Sequence, residues 1–214
     1  MFRNKYNQNL LPSKCVKIEN FLTQTENQKI LESAIKLEPY FEKSTTSSGL
    51  TDTNIRKSKV LYLAPISKAR ISNRIKLVLP QVLAKLARQK FPIAKIEAQV
   101  TAHNHGNYYH AHDDNGTPNV AQREITYVYY FYQQPKQFSG GELVLYDEKI
   151  NNNLYQQANS FKKIAVKNNT IVFFLSRYWH EVLPINCPSK NFADSRFTIN
   201  GWVWKSKEEG RRKK

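Results

Sequence analysis

The chain has 214 residues, 40% hydrophobic and 12% aromatic, enough to bury a sizeable core in one domain and too apolar for a disordered segment. No stretch is long and apolar enough for a membrane-spanning helix, and Met1, Phe2, Arg3, Asn4 and Lys5 lack the apolar run of a signal peptide; the expectation is a cytoplasmic protein with no membrane partner. Thirty-three lysines and arginines against 17 acids give a net charge of +16. That charge attracts nucleic acid, anionic peptides or small carboxylates, although no zinc-finger spacing or other nucleic-acid signature accompanies it.

In chain order, residues 16–22 read as a short strand leading into a helix. Thr25 and Gln28 have the form of a capping box, and Ile30, Leu31, Ala34, Ile35 and Leu37 make an apolar stripe at helical spacing. Residues 44–54 are small and polar, a loop signal, followed by the basic Arg56, Lys57 and Lys59 and the apolar residues 60–63. A second helix is expected over residues 67–90, with Ile71, Ile75, Leu79, Val82, Leu83 and Leu86 on its buried side and Pro80 kinking or dividing it.

From residue 94 the pattern turns extended. Residues 98–102, 125–132, 142–146, 161–166, 170–175, 181–185 and 197–204 are strand-like, rich in β-branched and aromatic types. Helices first and short strands after them predict an α+β fold, a double-sheet barrel packed on N-terminal helices. The expected organisation is one continuous domain, with residues 1–93 as support and a lid loop, 94–205 as barrel, and 206–214 as a basic tail. Cys15 and Cys187 show neither ligand nor redox spacing and read as free thiols.

Four of the five histidines, His103, His105, His110 and His112, crowd together just ahead of Asp113 and Asp114, and the fifth, His180, lies far downstream. Two imidazoles and one carboxylate on one side of a metal form the facial triad of non-haem Fe(II) oxygenases. In an extended segment alternate side chains share a face, so His112 and Asp114 point the same way. His110 shares that face, Asp113 competes with Asp114, and His-x-Asp alone has many chance matches.

Further motifs narrow the choice. The run from Gly106 through Asn107, Tyr108 and Tyr109 to His112 and Asp114 is followed by an aromatic strand, Arg123 to Phe131. Then come the turn Ser139, Gly140, Gly141, Glu142, the segment Trp179, His180, Glu181, and a closing strand, Arg196 to Trp202. In this order they resemble the prolyl-hydroxylase-like branch of the 2-oxoglutarate- and Fe(II)-dependent dioxygenases. The resemblance implies a jelly-roll, or double-stranded β-helix, core with His112, Asp114 and His180 as iron ligands and as the catalytic centre. It also implies that Arg196 holds the distal carboxylate of 2-oxoglutarate, a role that suits the planar guanidinium fork.

Tyr130 is a candidate donor to that same carboxylate, with a core role as its alternative, and Tyr108 is a further pocket candidate. His110 reads as a neighbour, His103 and His105 as pocket mouth or surface, and the connection 187–195 as an exposed loop. Trp202, Trp204, Phe173 and Phe174 are expected mostly in the core, with some of them lining the pocket. The implied cofactors are Fe(II), 2-oxoglutarate as cosubstrate and O2, with ascorbate a candidate addition. The implied reaction is hydroxylation of an unactivated C–H of an amino-acid side chain, most often proline, in a peptide or protein. The basic residues near the lid favour an acidic substrate; a free amino acid, another small molecule or nucleic acid is the alternative, and the oligomeric state is left open.

Overall fold

The computed structural model describes residues 10–45, 52–62, 65–151 and 154–207. Most of the lid loop (46–51) and of the basic tail (208–214) lies outside these residues. The chain begins with β1 (Leu10–Leu11), β2 (Cys15–Glu19) and α1 (Gln24–Lys36), then β3 (Glu42–Lys43), β4 (Arg56–Lys57), β5 (Lys59–Leu61) and α2 (Pro65–Lys85). The strands β6 (Ile93–Ile96), β7 (Gln99–His103), β8 (Tyr108–His112), β9 (Arg123–Phe131) and β10 (Ser139–Gly140) follow. The rest comprises β11 (Leu143–Asn151), β12 (Leu154–Ile164), β13 (Thr170–Leu175), β14 (His180–Val182), β15 (Ile185–Asn186) and β16 (Arg196–Lys205).

Both helices differ in detail from expectation. The capping box of α1 is Thr23 with Glu26, two residues before the Thr25 and Gln28 pattern: the Thr23 hydroxyl accepts the Glu26 N–H at 3.2 Å, and the Glu26 carboxylate accepts the Thr23 N–H at 3.0 Å. A charged carboxylate at the positive helix end is the stronger acceptor. Asn27, Ile30, Leu31 and Ala34 then form the buried face. Helix α2 runs through Pro80 undivided; Pro80 is exposed, so the carbonyl it leaves unpaired faces water. The helix stops at Lys85, short of residue 90, because Ala87 turns left-handed (φ 55°) and the Arg88 N–H returns to the Leu83 carbonyl.

The strands form two large sheets and one small pair. The major sheet runs β2-β13-β9-β16-β7-β5-β3 with β6 also on β16, the minor sheet β1-β11-β14-β8-β4 with β12 also on β11, and β10 pairs β15. N-terminal strands β2, β3 and β5 are thus built into the same sheet as β9 and β16. Alternation gives the major sheet two different faces. Tyr127, Tyr129, Phe131, Phe197, Ile199 and Val203 belong to the apolar core, and the Tyr129 hydroxyl accepts from Asn27 of α1 at 2.7 Å. Between them, Thr126, Val128, Arg196, Thr198, Asn200 and Trp202 line a cavity.

The connection 187–195 is not simply an exposed loop. Cys187 and Ser195 are fully buried, and the Phe192 ring packs on Phe41 and Phe197 with centroids 5.0 and 5.2 Å apart. Only its tip, Pro188 to Asn191, is exposed, because two apolar anchors pull its ends into the core. Among the described residues no helix is long and apolar enough to cross a membrane.

Candidate active site

The cavity encloses about 250 Å³ and is lined from both sheets. Register explains the lining. Leu143, Val182, Tyr109 and Arg56 are successive partners across β11, β14, β8 and β4, so they form one row on the minor sheet. On the major sheet Gln99 and His103 come from β7 at period-two spacing, as do Arg196, Thr198, Asn200 and Trp202 from β16.

At one corner, His180 lies directly opposite His112 across β14 and β8, and Asp114 follows just past the end of β8. Ligand atoms of these three residues all lie within 4.8 Å of one another. His112 Nε2 is 3.9 Å from Asp114 Oδ1, and His180 Nε2 is 3.3 Å from Asp114 Oδ2. Each imidazole is locked by its own chain: His112 Nδ1 donates to the His110 carbonyl and His180 Nδ1 to the Tyr178 carbonyl, both at 2.8 Å. A carbonyl can only accept, so the proton sits on Nδ1 and each Nε2 presents a lone pair to the cluster.

Asp114 is anchored as firmly. Its N–H reaches the Ser176 carbonyl at 2.9 Å, and the Thr126 hydroxyl donates to its Oδ2 at 2.7 Å. Burial pushes the Asp114 carboxyl up, but the His180 and His112 rings and the Thr126 hydroxyl outweigh it and hold it below the usual carboxylate range. Burial and the neighbouring His180 lower His112 to about 3. Asp113 lines the same cavity but stands outside the cluster, its Oδ1 accepting the Gly116 N–H at 2.6 Å in a turn.

The opposite end of the cavity holds Arg196, 1% exposed. It lies directly across β7 and β16 from His103, with Arg196 Nη1 3.4 Å from His103 Nδ1. Its guanidinium sits over the Tyr130 ring at 5.0 Å. Arg196 Nε and Nη2, the Tyr130 hydroxyl and His103 Nε2 are all buried without a hydrogen-bond partner. Such donors are rare in a folded interior and mark a place meant for an acceptor. Gly141, in the left-handed region at φ 72°, makes room: a Cβ there would stand 2.7 Å from Arg196 Cδ.

The structure therefore brings His112, Asp114, His180 and Arg196 to one cavity, with Tyr130 behind Arg196. Tyr108 is placed elsewhere: its hydroxyl donates to the Thr53 carbonyl at 2.6 Å, outside the cavity. Tyr109 lines the cavity instead, its ring stacked on His112 with centroids 3.6 Å apart. The cause is a shift of register in β8, where Tyr109 and His112 are three residues apart but face Val182 and His180, two apart. Such a bulge reverses the alternation, so His110 turns outward to solvent while His112 turns in.

His103 also departs from expectation, being buried at the cavity wall rather than at its mouth; His105 is exposed, its Nδ1 accepting the Cys187 N–H at 3.3 Å. Extending the expected strand 98–102 by one residue would have put His103 on the face of Gln99. Phe173 and Phe174 are core, the latter edge-on to His180 at 4.8 Å. Trp202 lines the cavity under the Arg123 guanidinium, 3.5 Å above its ring. Arg56, expected among the basic residues beside the lid, lines the cavity itself. Its Nε donates to Ser58 Oγ and its Nη1 to the Thr45 carbonyl, both at 3.1 Å, and it lies 4.8 Å over the Tyr109 ring.

The same arrangement of strands occurs in known proteins. A prolyl-4-hydroxylase from Pseudomonas putida superposes with a TM-score of 0.65 at 17% identity, covering 91% of this chain and 94% of that one. A prolyl hydroxylase from Trichoplax adhaerens, solved with a hypoxia inducible factor oxygen degradation domain peptide fragment, gives 0.69 at 20% identity, covering 89% and 83%. In sequence, an uncharacterized PKHD-type hydroxylase from Synechocystis is 48% identical over 198 residues, 91% of this chain. This chain spans 64% of the length of that relative. Residues 98–204, half of the chain, match the family model of the 2OG-Fe(II) oxygenase superfamily, and the chain belongs to that superfamily.

Proposed function

We propose that this protein is a 2-oxoglutarate- and Fe(II)-dependent dioxygenase that hydroxylates an unactivated C–H bond of an amino-acid side chain, of the prolyl-hydroxylase type, in a peptide or protein. The observation that carries this reading is one cavity holding both a two-histidine, one-carboxylate cluster and a buried arginine with unused donors. Two Nε2 lone pairs and a carboxylate suit Fe(II) and leave positions open to other ligands. The residues thus fit the metal and cosubstrate that the family uses: His112, Asp114 and His180 for the iron, Arg196 with the Tyr130 hydroxyl for the distal carboxylate.

Bound there, Fe(II) with 2-oxoglutarate and O2 supplies the oxidising chemistry, in which decarboxylation to succinate accompanies hydroxylation of the substrate. The chain supplies the rest. The backbone carbonyls behind His112 and His180 fix both ring orientations, Thr126 fixes the carboxylate, and Leu143, Val128 and Val182 exclude water from the wall. The two-sheet core is read as a double-stranded β-helix formed by residues 94–205, with 1–93 as its support.

Arg123 lines the same cavity paired with Glu97 at 3.1 Å, and Arg56 lines it beside the lid; the charge of Arg56 favours a substrate carrying negative charge. The likeness to a prolyl hydroxylase solved with a peptide fragment supports a peptide. The test is anaerobic titration of Fe(II) and 2-oxoglutarate, followed by succinate release with added substrates. A visible charge-transfer band, and succinate formed in proportion to an acidic proline-containing peptide, is the expected result. No band in folded, metal-supplied protein overturns the dioxygenase reading. Turnover with free amino acids, or with DNA or RNA alone, overturns the peptide.

A further inference from the structure

A second hollow, of about 420 Å³, opens where the edge strands of the two sheets, β3 and β4, meet β5 and the connection 187–195. Four exposed lysines stand around it, Lys43, Lys57, Lys59 and Lys190, with one acid, Glu38. Among the described residues none of the four lies within salt-bridge distance of a carboxylate. Like charges gathered round a concave surface raise the local concentration of anions.

The floor is a chain of buried donors. Arg56 Nε can only donate, and it reaches Ser58 Oγ at 3.1 Å; the single Ser58 proton then goes to Ser44 Oγ at 2.9 Å. Ser44 and Ser58 are 2% and 7% exposed, and both line the hollow. Among the described residues the Ser44 hydroxyl meets no acceptor of its own, so the relay ends in a buried O–H without a partner. A side wall is equally firm: Asn104 Nδ2 donates to the Asn191 carbonyl at 2.8 Å and to Ser195 Oγ at 2.9 Å, tying the connection that carries Lys190 to the end of β7.

We propose that this hollow anchors an acidic segment of the peptide substrate, its side-chain carboxylates meeting the lysines of the rim and the Ser44 hydroxyl of the floor. The inference rests on the reading of the protein as a peptide hydroxylase and adds a second contact away from the reacting side chain. Arg56 forms a wall of both hollows, so one peptide can occupy the two together. The anchored acid then raises the effective concentration of the reacting residue at the catalytic cavity. Nucleic acid fits less well. Phe192, the sole aromatic lining the hollow among the described residues, is packed on Phe41 and Phe197 with Lys59 over its ring, so a base finds no platform.

The probe is a short fluorescein-labelled oligoglutamate, read by anisotropy on the full chain held anaerobically with Fe(II) and 2-oxoglutarate, so no turnover is needed. Binding that weakens with added salt is expected. Lys57→Glu combined with Lys190→Glu should weaken it about tenfold, as exposed ion pairs are replaced by repulsions. Ser44→Ala changes no charge and should also weaken it about tenfold, the low end for a hydrogen bond to a charged group. Lys149→Glu combined with Lys163→Glu, exposed on β11 and β12 and outside both hollows, makes the same change of charge and should leave binding nearly unchanged.

A loss in that control pair equal to the loss at the rim, or wild-type affinity in Ser44→Ala, reduces the effect to overall charge and overturns the site. No binding by the wild type overturns it too, while the charge-transfer band judges the dioxygenase reading independently. A DNA oligonucleotide of equal charge that binds more tightly, and loses affinity in Ser44→Ala, overturns the peptide in favour of nucleic acid. Should Ser44→Ala not fold, the two pairs of exposed lysines still decide.

Discussion

The two ends of the cavity treat the same side chain in opposite ways. At the corner of the three-residue cluster His112 and His180 each donate the Nδ1–H to a carbonyl two residues back in the chain. At the far wall His103 Nδ1 accepts a hydrogen bond from Arg196 instead. The corner is fully wired, with Asp114 held by Thr126 and by the Ser176 carbonyl; the wall leaves four buried polar atoms, on His103, Tyr130 and Arg196, without partners. A buried imidazole becomes a ligand or a donor according to the one neighbour at Nδ1. The corner spends its hydrogen bonds on preorganising lone pairs, and the wall leaves donors free for the anion proposed above.

The largest effect that can break this comparison is at the corner. Asp114→Ala removes the sole carboxylate of the cluster and leaves two facing imidazoles with centroids 4.2 Å apart. Loss of both the charge-transfer band and succinate formation is expected, with 2-oxoglutarate binding to metal-free protein retained through Arg196. A variant that keeps the band would move the ligand to Asp113, which the Gly116 turn argues against.

The next effect separates function from stability at the wall. Arg196 is a buried cation without a carboxylate within salt-bridge distance among the described residues, so it costs stability. Arg196→Met should weaken 2-oxoglutarate binding by roughly a hundredfold or more, from loss of two charge-assisted hydrogen bonds. In the metal-free protein it should also raise Tm, by roughly 2–4 °C for each 1 kcal/mol recovered. Calorimetric scans decide: a fall in Tm would mean the wall is held together by Arg196 rather than strained by it.

A smaller effect follows from protonation. His103 has its folded-state pKa depressed by burial first and by Arg196 and Arg56 after it. Below its ordinary value of about 6.5 the unfolded chain takes up a proton that the folded chain refuses. The stability contributed by the neutral ring is therefore complete above that value and declines as pH falls below it, by at most about 1.4 kcal/mol per pH unit. His112, lowered to about 3, adds a like slope, so urea unfolding of metal-free protein between pH 7 and pH 5.5 should show both, and His103→Asn should remove one of them. An unchanged slope would place the proton uptake elsewhere.

How much of this was legible in the sequence follows the same division. That His112, Asp114 and His180 would meet could be expected because ligand spacing and motif order survive in the chain as written, and that Arg196 would share their cavity because it opens the closing strand. The apolar rows of β9, β13 and β16 announced themselves through aromatic and β-branched composition. The hydrogen bond of His103 with Arg196 could not be read, since it depends on a register pairing with a residue ninety-three positions away. Short strands such as β4 and β10 carry too few residues for any period to show. The capping box was misplaced because two Thr-x-x-acceptor patterns overlap and only the charged one wins.

The bulge in β8 supplies the smallest effect and the sharpest check on that lesson. Strict alternation from His112 puts His110 and Tyr108 on the cavity face; the shifted register puts Tyr109 there and turns His110 to solvent. Tyr108→Phe removes only the hydroxyl bonded to the Thr53 carbonyl, an exposed contact whose loss should change stability by no more than about 1 kcal/mol and leave 2-oxoglutarate and metal affinities unchanged. Tyr109→Ala, by contrast, strips the ring stacked on His112 and the surface under Arg56. Widening the cavity beside the metal ligand should weaken metal binding measurably while Tyr108→Phe does not. If the two variants exchanged these outcomes, β8 would run without its bulge, and His110 rather than His112 would have to be reconsidered as the first imidazole of the cluster.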